Sequence, residues 1–278
     1  MSLPRLVATD LDGTLLRPDT TVGERTRAVL DQVRAAGVLV VPVTARQPIG
    51  LVGIAEPAGF DSWMVCANGA YAWHLGEDRS AFSSLLPADA VGEVLQGLRD
   101  VAPAVRFAVV RDFGREFIAE PGYAELAVLS DHSIAPRVMH RGGLAELAAQ
   151  PCLKVVARSP HHSPAELFGL LRDLCIESCT PTLSGAPFLE IAAAGVNKGV
   201  GLARLCELLE IGAADVVAFG DAQNDVEMLT WAGRGVAMAN AMPVAKAAAD
   251  EILPGTNAEE AVATWLTGLL DGVQSIRG

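Results

Sequence analysis

The sequence is poor in aromatic residues and in positive charge. Phe, Trp and Tyr make up 5% of the 278 residues, so a core built from this chain consists mostly of Ala, Val and Leu. There are 21 Lys and Arg against 33 Asp and Glu, which gives a formal net charge of −12. This balance disfavours nucleic acids and anionic membrane surfaces as partners, because binding to either depends on Lys and Arg.

Long apolar runs and paired cysteines are also lacking. No apolar run approaches the roughly 18 residues of a membrane span, and the run before Asp10 is too short for a signal peptide. The five Cys are odd in number and scattered, without a CxxC motif. This usage is typical of a reduced chain in which Cys serves as a small apolar residue. We therefore expect a soluble, cytoplasmic protein.

What the chain does contain is an apolar fraction of 51%, arranged as short apolar runs between amphipathic segments. The N-terminal part predicts three strands and two helices, in the order Leu6–Thr9, helix 22–36, Val38–Val43, a helix from the late 40s to the mid 50s, and Met64–Ala67. The C-terminal part predicts helix 199–210, strand Val216–Phe219, a helix, strand Gly235–Met238 and further helices. Buried strands linked by helices indicate an α/β fold with a parallel sheet covered by helices on both faces.

The middle of the chain follows a different pattern. Helical stretches at 88–101 and 164–177 alternate with strand-like pieces at Arg106–Val110, Phe117–Ala119 and Lys154–Ala157. We interpret residues 81–189 as an α+β domain inserted into a discontinuous core domain of residues 1–80 and 190–278.

Polar residues follow four of the predicted core strands, namely Asp10, Thr44, Asn68 and Asp221. Ligands of open parallel sheets bind at the carboxyl ends of the strands, so we expect these residues at one rim. If the extended conformation persists through Asp12, the carboxylates of Asp10 and Asp12 lie on one side. Such carboxylates repel each other unless a cation intervenes, and hard oxygen ligands suit Mg²⁺. The alternative is an ordinary turn with Asp at favourable positions.

Four segments together resemble a known family. Asp-Leu-Asp-Gly-Thr at 10–14 resembles the first motif of haloacid dehalogenase (HAD) superfamily phosphatases, and Gly-Asp-Ala-Gln-Asn-Asp at 220–225 is similar to the fourth. Thr44 and Lys198 look like the second and third motifs. The segment Val236–Ala241 resembles the Cof-type subgroup, whose large α+β cap lies where residues 81–189 are inserted. One departure is Ala45, where the family usually has Gly.

The resemblance implies a Rossmann-like HAD core with an inserted cap of the C2 (type IIB) class, and a magnesium-dependent phosphatase. It implies that Asp10 is the nucleophile and forms an aspartyl-phosphate, and that Asp12 is the general acid and base. The implied roles of the remaining residues are as follows: Mg²⁺ ligands Asp10, Asp12 through its backbone carbonyl, and Asp221; phosphate-binding groups Thr44, the Ala45 N–H, Lys198 and Asn224; supporting residues Asp225, Asn68 and Gly13.

The expected partner is a small phosphorylated metabolite, with sugar phosphates first and flavin mononucleotide or pyridoxal phosphate behind them. Two alternatives stay open. The first is a phosphomutase or another phosphoryl-transfer enzyme on the same fold, although Asp12 favours hydrolysis. The second is a non-enzymatic regulator that binds a phosphorylated metabolite.

Overall fold

The computed structural model describes residues 3–128 and 135–277, with side chains described up to residue 272. The strands of the described residues are β1 Leu6–Thr9, β2 Leu39–Pro42, β3 Trp63–Cys66, β4 Tyr71–His74, β5 Arg79–Ser83, β6 Arg106–Arg111, β7 Glu116–Ala119, β8 His140–Arg141, β9 Lys154–Arg158, β10 Cys179–Thr182, β11 Leu189–Ala193, β12 Val216–Gly220, β13 Arg234–Ala237 and β14 Glu251–Ile252. The helices are α1 Glu24–Ala35, α2 Val52–Ala58, α3 Ala88–Val101, α4 Leu144–Leu147, α5 Pro164–Asp173, α6 Lys198–Leu208, α7 Val226–Trp231, α8 Pro243–Ala248 and α9 Ala261–Arg277.

The chain divides into two compact units. The core unit consists of Met1–Arg46, Leu51–Phe82 and Lys198–Gly278, and the inserted unit consists of Gln47–Gly50 and Ser83–Asn197. The predicted domain bounds, 81–189 for the insertion, stay a prediction.

The core unit is built on a parallel sheet with the strand order β14-β13-β12-β1-β2. Every residue of β1 and β12 is buried, which requires cover on both faces of the sheet. The helices pack in two groups, α1 with α2 and α9, and α7 with α6 and α8. In α1, Val29, Leu30 and Val33 are the buried apolar positions, at the spacing of one helical face.

Strand β3 begins a hairpin that was not predicted from the sequence. It joins the end of the core sheet through a parallel bridge between Val65 and Val43, and then pairs with β4 in an antiparallel hairpin sheet, β3-β4-β5. The turn between β3 and β4 is tight, since Ala67, Asn68 and Gly69 all have positive φ angles of 51°, 55° and 98°. This turn directs the chain back along β3 instead of into a crossover helix.

The inserted unit is a six-stranded sheet with the order β10-β11-β9-β6-β7-β8. Helices α3 and α5 pack against each other, and a cluster of buried apolar side chains that includes Val94, Leu98, Phe107 and Leu171 forms its core. The predicted helix over 164–177 is too long, because α5 ends at Asp173 and Cys175 takes a left-handed φ of 52°. The chain then forms β10, a strand that was not predicted from the sequence.

Among the described helices, none combines the length and the apolar character needed to cross a membrane.

Candidate active site

The loop after β1 is a tight turn that begins next to Asp10. Asp10 itself is extended, with φ −64° and ψ 162°, whereas Leu11–Leu15 form the turn, closed by the Leu16 N–H donating to the Leu11 carbonyl at 2.8 Å. Gly13 has φ +84°, and a Cβ atom there would lie 2.4 Å from Asp221 Oδ2. Both the backbone conformation and the closeness of Asp221 therefore require glycine.

Lys198, the first residue of α6, connects two carboxylates. Its Nζ atom lies 2.6 Å from Asp10 Oδ1 and 2.6 Å from Asp225 Oδ1, and all three side chains are buried. The other oxygen of Asp225 accepts the backbone N–H groups of Asp221 at 3.0 Å and Ala222 at 2.9 Å. Asp225 thus fixes Lys198 and the loop after β12 at the same time.

Two glycines allow the start of α6 to lie close to α7 and to the turn after β3. A Cβ atom at Gly199 would lie 2.6 Å from the backbone of Glu227, and one at Gly201 would lie 2.4 Å from the Cα atom of Gly69. The start of α6 therefore packs directly on α7 and on the turn after β3, which sets the position of Lys198.

A candidate metal cluster lies beside this lysine. Asp10, Asp221 and Asp225 each offer a carboxylate oxygen, and these oxygens all lie within 4.8 Å of one another. The Thr14 hydroxyl donates to Asp221 Oδ1 at 2.7 Å, which orients that carboxylate. Three carboxylates face one ammonium group, so two negative charges are left without a partner in the cluster. A divalent cation has the charge and the preference for oxygen ligands that this group of residues fits.

The electrostatics of the cluster agree with this charge excess. Burial raises the pKa of Asp10 well above its ordinary value; Lys198 opposes the shift, while Asp225 and Asp221 add to it. Burial also raises the pKa of Asp221 to about 6. The hydrogen bond from Thr14 lowers this pKa, and the negative charge of Asp225 raises it further. Burial alone would lower the pKa of Lys198, but Asp10 and Asp225 outweigh it and the pKa lies above its usual value. The shift therefore favours the charged form of Lys198 in this site.

The side chain of Asp12 has a different partner from that of Asp10, which contacts Lys198. The Asp12 carboxylate binds Arg46 through both oxygens, with Nε–Oδ2 at 2.7 Å and Nη2–Oδ1 at 2.6 Å. The expectation that the carboxylates of Asp10 and Asp12 lie on one side stays a prediction. Arg46 directly follows Thr44 and Ala45, but no role for it was predicted from the sequence.

Thr44, Asn68 and Asn224 meet at the ends of β2, β3 and β12. The Asn68 N–H donates to the Thr44 carbonyl at 3.0 Å, and Asn224 Nδ2 donates to Asn68 Oδ1 at 2.9 Å. The buried Oδ1 atom of Asn224 accepts no hydrogen bond from the described residues. The Thr44 hydroxyl accepts the Arg46 N–H at 3.2 Å, and half-buried Ala45 lies between these two residues. The four segments expected at one rim are thus linked to each other, while the roles given to their residues stay predictions.

Comparison with known proteins identifies the family. Residues 7–266 match the haloacid dehalogenase-like hydrolase family. A protein of Cronobacter sakazakii named HMP-PP phosphatase is 30% identical over 270 residues, which cover 97% of each chain. A solved haloacid dehalogenase-like hydrolase from B. subtilis is 27% identical, with a TM-score of 0.79 over 95% of this chain and 99% of that one.

The fold is shared with more distant proteins as well. A solved sugar phosphatase of HAD subclass IIB, BT4131, has a TM-score of 0.79 at 20% identity and covers 95% of this chain and 98% of its own. The predicted fold class, an α/β HAD core with an inserted cap, is confirmed, and so is the prediction of a phosphatase. Phosphatases of this superfamily generally use a divalent metal, and the three-aspartate cluster is compatible with one. The chain belongs to the haloacid dehalogenase-like hydrolases.

Proposed function

We propose that the chain hydrolyses phosphate monoesters of small metabolites, with Mg²⁺ as the divalent metal and Asp10 as the nucleophile. The observation that carries the proposal is the buried contact of Asp10 with Lys198 beside two further aspartates. Such a group is unfavourable without a cation, because buried like charges repel each other. It becomes a binding site for a phosphate dianion once a divalent cation offsets the excess negative charge.

Asp10 supplies the nucleophilic oxygen. One carboxylate oxygen of Asp10 is bound by Lys198, which leaves the other to form a bond to phosphorus while the bond from phosphorus to the leaving oxygen breaks. The second step transfers the phosphoryl group to water and restores the Asp10 carboxylate. Mg²⁺, held by Asp10, Asp221 and the Asp12 backbone carbonyl, would neutralise the charge on the phosphoryl oxygens when bound.

Asp12 supplies the protons. It gives a proton to the leaving alkoxide in the first step and takes one from the attacking water in the second, so that it ends each cycle unchanged. Its carboxylate is 47% exposed and therefore reaches solvent, whereas the side chain of Asp10 is only 6% exposed. The bidentate contact with Arg46 would hold Asp12 in one orientation between these steps.

The remaining residues stabilise the transferred group. Lys198, Thr44, the Ala45 N–H and Asn224 are the proposed donors to the phosphoryl oxygens, and Gly13 allows the turn to pass close to Asp221. Asp225 positions Lys198, and Asn68 positions the Asn224 amide. Phosphoryl transfer depends mostly on positioning and charge neutralisation, so these fixed groups should provide much of the rate.

Two substrate classes have support. Curated relatives at about 30% identity are named HMP-PP phosphatases, and a solved neighbour is named a sugar phosphatase. We therefore propose a small phosphorylated metabolite as substrate, with HMP-PP and sugar phosphates as the first compounds to examine, followed by flavin mononucleotide and pyridoxal phosphate.

The test is release of inorganic phosphate from p-nitrophenyl phosphate and from this set of metabolites, since a mutase would not release it. We expect hydrolysis that EDTA abolishes and Mg²⁺ restores, and we expect Asp10→Asn to reduce it to background. Asp61→Asn, an exposed aspartate of the core unit, is the matched control and should keep full activity. Activity that survives EDTA, or wild-type turnover in Asp10→Asn, would contradict the proposal.

A further inference from the structure

The segment from Met238 to Met242, which follows β13, has no role in the proposed reaction, yet it contacts both loops that carry the metal-cluster aspartates. The Met242 N–H donates to the Asp221 carbonyl at 2.7 Å, and the Met238 N–H donates to the Gly220 carbonyl at 3.2 Å. In the same segment, Asn240 Nδ2 donates to the Gly13 carbonyl at 2.8 Å. One short segment therefore holds the loop after β12 and the turn after β1.

A second asparagine extends the contact. The Asn257 N–H donates to Asn240 Oδ1 at 3.2 Å, and Asn257 Nδ2 donates to the Leu16 carbonyl at 2.8 Å. The orientation of the Asn240 amide is unambiguous, because a backbone N–H can only donate and a carbonyl can only accept. The two side chains thus hold the turn at Gly13 and at Leu16, the residue that closes it.

The position of the Asn240 contact gives it a specific effect. Gly13 has φ +84°, and glycine is the residue with the greatest backbone freedom. It stands between Asp12, whose backbone carbonyl is a proposed metal ligand, and Thr14, whose hydroxyl binds Asp221. A hydrogen bond to the Gly13 carbonyl therefore restricts the most flexible point of the turn, between two groups that shape the metal site.

We propose that Asn240 is a positioning residue for the divalent metal, which acts by fixing the Gly13 peptide relative to Asp221. This inference rests on the proposed metal site. It predicts that loss of the Asn240 amide weakens metal binding more than it lowers the rate at saturating metal. A purely structural residue would instead reduce the amount of folded enzyme and leave the metal affinity of the folded fraction unchanged.

The experiment is calorimetric titration of Mg²⁺ into the full-length protein without substrate, together with the Mg²⁺ dependence of p-nitrophenyl phosphate hydrolysis. Asn240→Ala should weaken Mg²⁺ binding about three- to tenfold, which is the range of a single net hydrogen bond. The loss of kcat at saturating Mg²⁺ should be smaller. Asn257→Ala should change Mg²⁺ affinity in the same direction by less, because its backbone N–H still reaches Asn240.

Two further variants serve as a second test of the Asn240 donor and as a control. Asn240→Leu preserves the size of the side chain without its donor and should resemble Asn240→Ala, which covers the case in which the alanine variant is unstable. Val244→Ala changes an exposed residue of α8 nearby and should bind Mg²⁺ like the wild type. Folded Asn240→Ala and Asn240→Leu with wild-type Mg²⁺ affinity would overturn the inference alone, whereas a wild type without Mg²⁺ binding would overturn the metal site itself.

Discussion

Asp12 and Arg46 show how one contact can hold a side chain and also constrain its chemistry. The guanidinium group matches both carboxylate oxygens, a geometry that lysine cannot reproduce. The hydrogen bond to Asp12 is the main reason that the pKa of Arg46 lies above its ordinary value. To pass a proton to a leaving group, Asp12 must release one of these two contacts while the other keeps it in place.

We expect Arg46→Ala to lower kcat about ten- to a hundredfold, with a much smaller change in KM, because general acid and base catalysis contributes about 10²–10⁴-fold and depends on orientation. Arg46→Lys should recover only part of this loss, since lysine offers a single point of contact. Steady-state kinetics at saturating Mg²⁺ measures both effects.

Thermal unfolding separates this role from a stabilising one. The Asp12–Arg46 pair is partly exposed, so its loss should cost at most about 1 kcal/mol of stability. Arg79→Ala removes another partly exposed pair of the core unit, with Glu77, and should leave kcat unchanged. A rise in KM at constant kcat in Arg46→Ala would mean that Arg46 binds substrate and does not orient Asp12.

At the scale of elements, the approach of α6 to the turn after β3 sets the position of Lys198. In most helices an alanine is favoured over glycine by about 1 kcal/mol. At Gly201 we expect alanine to be less stable than glycine, because the added Cβ would lie 2.4 Å from the Gly69 Cα atom. The Cβ position is fixed by the backbone and the contacted atom is backbone, so no side-chain rotation can relieve the clash. Gly201→Ala should cost about 1–3 kcal/mol of stability, as overpacked sites do, and should lower kcat by displacing Lys198.

Gly53→Ala is the control for this prediction. Gly53 lies in the first turn of α2 and a Cβ atom there meets nothing within 4 Å. Its replacement should leave kcat unchanged and the melting temperature equal or slightly higher. The measurements are kcat and melting temperature for both variants. Wild-type values for Gly201→Ala would contradict the prediction and would show that α6 can move without effect on Lys198.

The same elements show which features the sequence could predict. The strands at Leu6–Thr9 and Val216–Gly220 carry uninterrupted apolar runs that end in Asp, and these signals are local. The hairpin after β3 was missed because it depends on three consecutive positive φ angles, of which only Asn68 and Gly69 give a sequence signal. The partner of Asp12 was missed for another reason, since Arg46 is 34 positions away and only tertiary structure joins them.

At the scale of the whole molecule, the excess of acidic groups is concentrated where it can respond to a cation. The net charge of −12 acts on the entire surface, and added salt of any kind screens it. The cluster of Asp10, Asp221 and Asp225 is different, because its carboxylates are buried or partly buried and a bound divalent cation would act on them directly. The two effects can be separated by comparing Mg²⁺ with NaCl at equal ionic strength.

The response of stability to Mg²⁺ should therefore depend on pH. The pKa of Asp221 in the metal-free fold is about 6, above its ordinary 3.8, so between these values the folded state binds more protons than the unfolded state. The contribution of this group to the stability of the metal-free protein accordingly falls as pH rises through this window and levels off above pH 6. Mg²⁺ competes with that proton and needs the ionised carboxylate.

We expect saturating Mg²⁺ to raise the melting temperature at pH 7.5 by roughly 5–10 °C, on the scale of about 2.7 kcal/mol for a ligand at 100 times its Kd. At pH 5 the rise should be much smaller, because most of the metal-free protein holds a proton on Asp221. Asp221→Asn should lose the response to Mg²⁺ at both pH values, and its metal-free form should be at least as stable as the wild type at pH 7.5, since it removes a partly buried charge that other carboxylates repel. Differential scanning fluorimetry with NaCl-matched controls measures these shifts. An equal Mg²⁺ effect at pH 5 and pH 7.5 would mean that the cation acts through the general acidic surface, and the cluster around Asp10 would then have no part in binding it.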